Sequence, residues 1–254
     1  MKITVITVAY NSAATIGDTL DSVARQSYSD KEHLVIDGAS KDDTVAVARA
    51  HSTPDTVIVS EPDKGIYDAM NKGFRLARGE VIGFLNADDL FADNEVLARV
   101  STAFEDPSVE ACFGDLVYVT GNNDRVVRYW KSRPYRKGSF ARGWCPAHPT
   151  FYIRRSALER LGPFDLTYRL AADTEFMIRY LERSGVRSVY IPQVQVRMRV
   201  GGATNRSLGN IAKQNLEIFD ALEKNRISYS RLVFFVRKVA SRVWQRWASS
   251  RAGV

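Results

Sequence analysis

A chain of 254 residues with 45% hydrophobic content can bury a sizeable core in one domain and still carry an appendage. Its two cysteines, Cys112 and Cys145, stand in no metal-ligand spacing and build no disulfide framework, which fits buried thiols in a reducing compartment and excludes a disulfide-stapled secreted scaffold. The net charge of +7 is concentrated at one end: eight of the 36 Lys and Arg residues follow Glu223, where no acid occurs, leaving 28 basic against 29 acidic residues in the body. A near-neutral body argues against a general nucleic-acid-binding protein, which would place basic and aromatic residues on the fold itself.

The opening MKITVITVAYN lacks the charged head and small-residue cleavage site of a signal peptide, and no apolar run reaches the roughly 18 residues that span a bilayer. The expected location is cytoplasmic, with the tail offering peripheral attachment to the inner face of the plasma membrane.

Lys2 to Tyr10 is β-branched and apolar and reads as a strand. Ile16, Leu20, Val23 and Ala24 then fall at helical spacing up to Gln26. The alternation recurs as strand His33 to Asp37, helix Asp42 to Ala50, strand Thr56 to Ser60, helix Tyr67 to Ala77, strand Val81 to Leu85 and helix Asn94 to Phe104. Repeated β-α units imply a mostly parallel central sheet flanked by helices. Further strands are expected at Ala111 to Val119, Val126 to Trp130 and Thr150 to Ile153, with helices at Ser156 to Leu161 and Asp173 to Ser184. A basic, aromatic loop fills Lys131 to Trp144. The expected layout is one domain over 1–225, in two halves of about 1–115 and 116–225, followed by a basic amphipathic tail over 226–254.

Ligands of such sheets bind at the carboxyl edge of the strands, where the strand order reverses. Acidic groups collect on that edge: Asp37 after the second strand, Glu61 and Asp63 after the third, and Asp88 and Asp89, next to Asn86, after the fourth. Carboxylates gathered there repel one another and lose hydration, so a divalent metal carrying phosphates is one account of them; the other is that Asp88 and Asp89 cap the following helix. The phosphate loops GxGxxG and GxxxxGK[ST] are absent, so any phosphate must be held by metal and side chains. Two readings also stand for Asp37 (base or ribose contact, or turn residue), Lys64 (phosphate contact, or solvated charge), Asn71 (ribose or base contact, or surface residue) and His148 (acceptor or diphosphate contact, or loop histidine). Arg199 with Gly201 and Gly202 could close over phosphates or form an ordinary turn.

TVAYN in the first strand, VIDGASKDDT around Asp37, SEPDKGIYDAMNKG, GEVIGFLNADD, HPTFYIRRSAL from His148 and LAADTEFMIRY around Asp173 occur in the order found in inverting family 2 glycosyltransferases. The chain resembles that family over about its first 200 residues, closest to the branch that builds bacterial exopolysaccharide, O-antigen and glycolipid glycans. The resemblance implies a GT-A fold and transfer of one sugar from a nucleoside-diphosphate sugar of UDP or GDP type to a glycan or lipid-linked acceptor, with Mn²⁺ or Mg²⁺ as cofactor. It puts the nucleotide against Thr7, Ala9, Tyr10, Asn11, Asp37, Lys64, Gly65, Asn71, Asn86, Ala87 and Asp88, the metal on Asp88, the catalytic base at Asp173, and the acceptor or diphosphate beside His148 and Arg199. Asn86 departs from the family's DxD motif and lowers the charge offered to the metal. The QxxRW signature of processive synthases is missing, which implies one sugar per encounter.

Chemistry independently asks for one carboxylate that takes the acceptor's proton and one cation that receives the leaving diphosphate's charge. Asp173 can be that carboxylate or a helix N-cap, with Glu175, one turn in, as a dipole or surface residue. A sugar-nucleotide pyrophosphorylase is the alternative enzyme, but TVAYNS supplies no Gly- and Arg-rich loop.

In the tail, Leu232, Val236, Val239, Val243 and Trp247 form one helical stripe, with Arg237, Lys238, Arg242 and Arg246 mostly elsewhere. Such a helix suits an anionic membrane surface, each basic residue near it adding about 1 kcal/mol; packing on the core or on a second subunit is the alternative.

Overall fold

The computed structural model describes residues 1–120, 125–200 and 208–251. Strands β1 (Ile3–Ala9), β2 (Lys31–Asp37), β3 (Thr56–Ser60) and β4 (Val81–Phe84) pair in parallel in the order β3-β2-β1-β4. Their near-continuous Val/Ile/Leu content follows from burial on both faces: every residue of β1 is buried. Side chains alternate between two cores. Ile6 and Val8 meet Ala69, Met70 and Phe74 of α3 (Ile66–Leu76), whereas Ala9 and Val35 meet Ile16 and Leu20 of α1 (Ile16–Ala24) and Ala48 of α2 (Thr44–Ala50). Because β1 lies between β2 and β4, the chain order reverses at β1/β4, and a crevice opens outside their carboxyl ends.

The other half is mixed. After β4 a tight turn, closed by Asp89 N–H donating to Asn86 O at 3.0 Å, leads into a short strand β5 (Asp89–Phe91) ahead of α4 (Val96–Ala103). Strand β6 (Ala111–Thr120) pairs antiparallel with β7 (Arg125–Trp130) and with β8 (Tyr152–Arg154), which itself runs antiparallel to β4. The long β9 (Ser188–Arg199) lies parallel to β6 and antiparallel to β5. The sheet is thus parallel through β1 to β4 and mixed beyond. Helices α5 (Arg155–Leu161), α6 (Ala172–Met177, continued by a π-helical turn Ile178–Arg183), α7 (Leu208–Lys224) and α8 (Arg231–Arg251) complete the chain.

Three of these elements, β5, β9 and α7, were not anticipated from the sequence. Strand β9 contains Pro192, which donates no ladder hydrogen bond, and the register against β6 slips there, from Phe113 opposite Tyr190 to Asp115 opposite Val194. Such a bulge breaks the alternation by which a strand is recognised.

The basic tail is docked. Phe234 of α8 is 2% exposed and packs edge-on against Phe219 of α7 at 5.0 Å. Gly143 lies beneath it with φ +74°, and a Cβ there would come within 2.7 Å of Phe234 O. The stripe points the other way, with Leu232 74%, Val236 59% and Val239 60% exposed.

Candidate active site

The β4–β5 turn, the start of α6, the His148 region, the end of β9 and α8 surround one cavity of about 700 Å³, lined by Asn86, Asp88, His148, Asp173 and Arg199 among others. Residues far apart in the chain, such as Asp88 and Asp173, therefore face one space.

At the strand end, Asp89 is fully buried, Asn86 Nδ2 donates to its Oδ2 at 3.1 Å, and Asn86 Oδ1 and Asp89 Oδ1 are buried without hydrogen-bond partners among the described residues. Burial raises the Asp88 carboxyl above its ordinary range; burial, then the neighbouring charge of Asp88, raises Asp89 well above it. Arg199 opposes both shifts and also bonds Asp18 at 2.5 Å. The capping account of Asp88 and Asp89 fails, because β5 intervenes and α4 starts only at Val96. The two unpartnered oxygens beside a carboxylate suit a hard cation, which takes oxygen ligands, although no group of three His, Cys, Asp or Glu side chains converges among the described residues.

Asp173 is the second residue of α6, whose N-cap is Ala171, so it is not a cap. Its Oδ1 accepts from the Thr174 N–H at 2.8 Å and from the Tyr67 hydroxyl at 3.2 Å, while no hydrogen bond among the described residues reaches Oδ2. Burial, then Asp173's charge, pushes the Tyr67 hydroxyl well above its usual range, so it remains a donor. Glu175 is not at the surface: it is 2% exposed and paired with Arg179 at 3.1 Å. That pairing leaves Asp173 as the carboxylate open to the cavity at this helix start. His148 opens a short 3₁₀ turn, His148–Thr150, with its ring centroid 5.6 Å from Phe84 and 5.9 Å from Phe164. Its Nε2 is buried without a partner among the described residues, and burial lowers its pKa against the pull of Asp173.

The remaining expected nucleotide contacts divide. Three have side chains turned inward. Thr7 is 0% exposed, its Oγ1 2.9 Å from His33 Nε2. Asn71 is spent as a clamp, donating to Phe164 O at 2.9 Å and accepting Phe164 N–H at 3.0 Å, which is neither a surface nor a ligand-facing role. Asp37, 1% exposed, accepts from the Ser40 N–H at 3.0 Å, the Ser60 hydroxyl at 2.6 Å and the Ser40 hydroxyl, so its carboxylate shapes the loop after β2. That loop is latched to the one after β1, where Asn11, at φ +50°, accepts Lys41 N–H at 2.9 Å.

The others are nearer the surface, on a shelf at the carboxyl ends of β1 and β3. Tyr10 is 59% exposed above the buried Ala9, and Lys64 is exposed with its N–H on Asp68 at 3.0 Å. Gly65 holds φ +118°, a conformation that a side chain would disfavour. Ala87 is 4% exposed inside the β4–β5 turn. Gly201 and Gly202 lie outside the described residues.

The sequence reading missed several lining groups. Tyr67 sits inside the segment DKGIYDAMNKG already singled out, as the second residue of α3. Trp130 and Tyr118 line the cavity with the Arg128 guanidinium over their rings at 5.3 and 4.8 Å. Lys238, Arg242 and Gln245 of α8 also line it. These cations had been assigned to a membrane-facing surface; they point inward because α8 docks on the same face as Phe234, one turn before Lys238.

The sequence profile described as Glycosyl transferase family 2 matches residues 4–162. The chain belongs to that family. A PGL/p-HBAD biosynthesis glycosyltransferase of Mycobacterium tuberculosis is 33% identical over 192 residues, which are 74% of this chain and 72% of that protein. By structure, a mannosyltransferase of Pyrobaculum calidifontis in complex with GDP-Man and Mn²⁺ aligns with a TM-score of 0.64 at 23% identity, over 99% of this chain and 76% of that one. TarS 1–349 of S. aureus in complex with UDP-GlcNAc aligns with a TM-score of 0.67 at 17% identity, over 94% and 73%. The fold is that of the GT-A glycosyltransferases, and the enzyme is a glycosyltransferase. No helix among the described residues is long and apolar enough to cross a membrane.

Proposed function

We propose that this cavity transfers one sugar, with inversion, from a nucleoside-diphosphate sugar of UDP or GDP type to a hydroxyl of a glycan or lipid-linked acceptor in the making of a bacterial surface polysaccharide or glycolipid. The observation that carries it is the shared cavity of Asp88 and Asp173. Asp173 Oδ1 is fixed by Tyr67 and Thr174, leaving Oδ2 for the acceptor. The acceptor oxygen attacks the anomeric carbon, the carbon–oxygen bond to the diphosphate breaks, the bonding pair departs with the diphosphate, and the hydroxyl proton passes to Asp173. A single displacement inverts the centre and needs no carboxylate nucleophile.

Mn²⁺ or Mg²⁺ would be held by Asp88, with Asn86 Oδ1 and Asp89 Oδ1 as neighbouring oxygens, and when bound supplies positive charge against the diphosphate. Mn²⁺ in the Pyrobaculum complex is consistent with this. The exposed shelf of Tyr10, Asn11, Lys64 and Gly65 is the proposed approach of the nucleoside, with Thr7, Asp37 and Asn71 shaping it from behind. The stripe Leu232, Val236 and Val239, flanked by the exposed Arg231 and Arg237, suits an anionic leaflet and supports a working position at the cytoplasmic face, beside a lipid-linked acceptor.

The test is a panel of UDP- and GDP-sugars with and without Mn²⁺, on wild type and Asp173→Asn. The variant should bind donor as wild type does and lose transfer by about 10³-fold or more. Full transfer by Asp173→Asn would place the base elsewhere.

A further inference from the structure

We infer that Lys238 and Arg242 of α8, with Arg128 of β7, form a subsite inside this cavity for a phosphoryl group, carried either by the donor as its diphosphate or by the acceptor. The inference deepens the reading of the cavity as the site of sugar transfer and rests on it. All three side chains line the space that holds Asp173. Lys238 and Arg242 lie one turn apart on one helix face, an arrangement of like charges that weakens a helix on its own. Neither is ion-paired with a carboxylate among the described residues. Lys238 Nζ donates instead to the neutral Asn215 Oδ1 at 2.7 Å; the Arg128 guanidinium lies over the Tyr118 and Trp130 rings, and its Nε donates to Gln245 Oε1 at 2.7 Å.

The electrostatics agree with that geometry. Burial, together with Arg242, lowers Lys238 to about 8 against the opposing pull of Asp173. Partly desolvated cations that repel each other are stabilised when an anion joins them, as paired and hydrogen-bonded charges are. Solubility does not account for their position, because the opposite, solvent-facing side of α8 carries Leu232, Val236 and Val239. The β4–β5 turn, with Asn86 where a second acid could stand, offers a cation limited negative charge, so phosphate charge has reason to be met by side chains on the far wall.

The experiment titrates inorganic phosphate into the full chain by calorimetry, with and without saturating UDP. It compares wild type, Lys238→Gln/Arg242→Gln, the charge-keeping Lys238→Arg/Arg242→Lys, and the outward Arg237→Gln, each checked for folding by circular dichroism. Wild type and Arg237→Gln should bind alike, the charge-keeping pair should stay within a few-fold, and the Gln pair should lose about tenfold or more. Phosphate that persists under saturating UDP belongs to the acceptor, and phosphate displaced by UDP belongs to the donor diphosphate; either result supports the subsite. Equal phosphate affinity in wild type and the folded Gln pair, or no phosphate binding by wild type, overturns it. Asp173→Asn, which removes a negative charge from the cavity, should not weaken phosphate binding whatever it does to transfer, so failure of the base assignment is read separately.

Discussion

The Tyr67 hydroxyl donates to Asp173 Oδ1 at 3.2 Å and joins α3 to α6 across the cavity. Tyr67 is therefore a positioning residue: its bond fixes one carboxylate oxygen and leaves the other to the acceptor. Tyr67→Phe should lower kcat by about tenfold, the scale of one hydrogen bond to a charged group, with donor KM little changed. Steady-state kinetics with varied donor read the split, and a rise in donor KM alone would show that the tyrosine serves donor binding.

Asn86→Asp adds an acid beside Asp88 and removes the amide that donates to Asp89 Oδ2 at 3.1 Å. Without metal the variant should melt several degrees below wild type, because another carboxylate joins two that already resist ionisation. On adding Mn²⁺ it should gain more in Tm than wild type gains. Thermal scans with and without Mn²⁺ check both statements, and equal Mn²⁺ shifts would remove the turn from the metal site.

Asn71→Ala should cost about 2–4 kcal/mol of stability, since it orphans the Phe164 N–H and C=O together. Urea unfolding measures the loss. At temperatures where the variant is folded, donor affinity should match wild type, which separates a clamp from a ligand contact.

His33 is 3% exposed, and burial lowers its pKa to about 4. The unfolded histidine, near 6.5, binds more protons through that interval, so stability falls as pH drops from about 6.5 toward 4 and is untouched above it. Between pH 7 and 5 this contributes about 2 kcal/mol of destabilisation. His33→Gln should flatten that part of the pH dependence in urea midpoints; an unchanged slope would assign it to other groups.

Leu232→Glu/Val236→Glu/Val239→Glu alters the exposed stripe without touching Phe234, Lys238 or Arg242. Binding to vesicles containing anionic lipid should be lost, with Tm nearly unchanged and transfer to a water-soluble acceptor preserved. Vesicle binding equal to wild type would assign the stripe to another partner.

The parallel half was legible because each of its strands is apolar through its length and each helix carries one buried stripe, as in ITVITVA beside α1. Asp88 and Asp173 were legible as polar residues at element boundaries. The side-chain directions of Thr7, Asp37 and Asn71 were not legible, because sequence order gives a residue's element and leaves open which way its side chain turns: Asn71 stands on α3 beside the expected site and spends its amide on Phe164. Strand β9 was hidden by Pro192 and the bulge around it. In α8 the amphipathic pattern was plain, but pattern alone suggests that the apolar side is the buried one. Here Phe234 decides the docking and the valines face outward.

Gly143, with φ +74° and room for no Cβ beneath Phe234 O, makes α8 a seated wall of the reaction chamber. Cutting the chain before α8 would therefore remove the exposed stripe of Leu232, Val236 and Val239 and a side of the chamber in one stroke, and lost activity in such a truncate would say nothing about anchoring. Gly143→Val offers the complementary perturbation: it lifts the helix from its seat while every residue of α8 remains, so turnover can be impaired with the outer stripe intact.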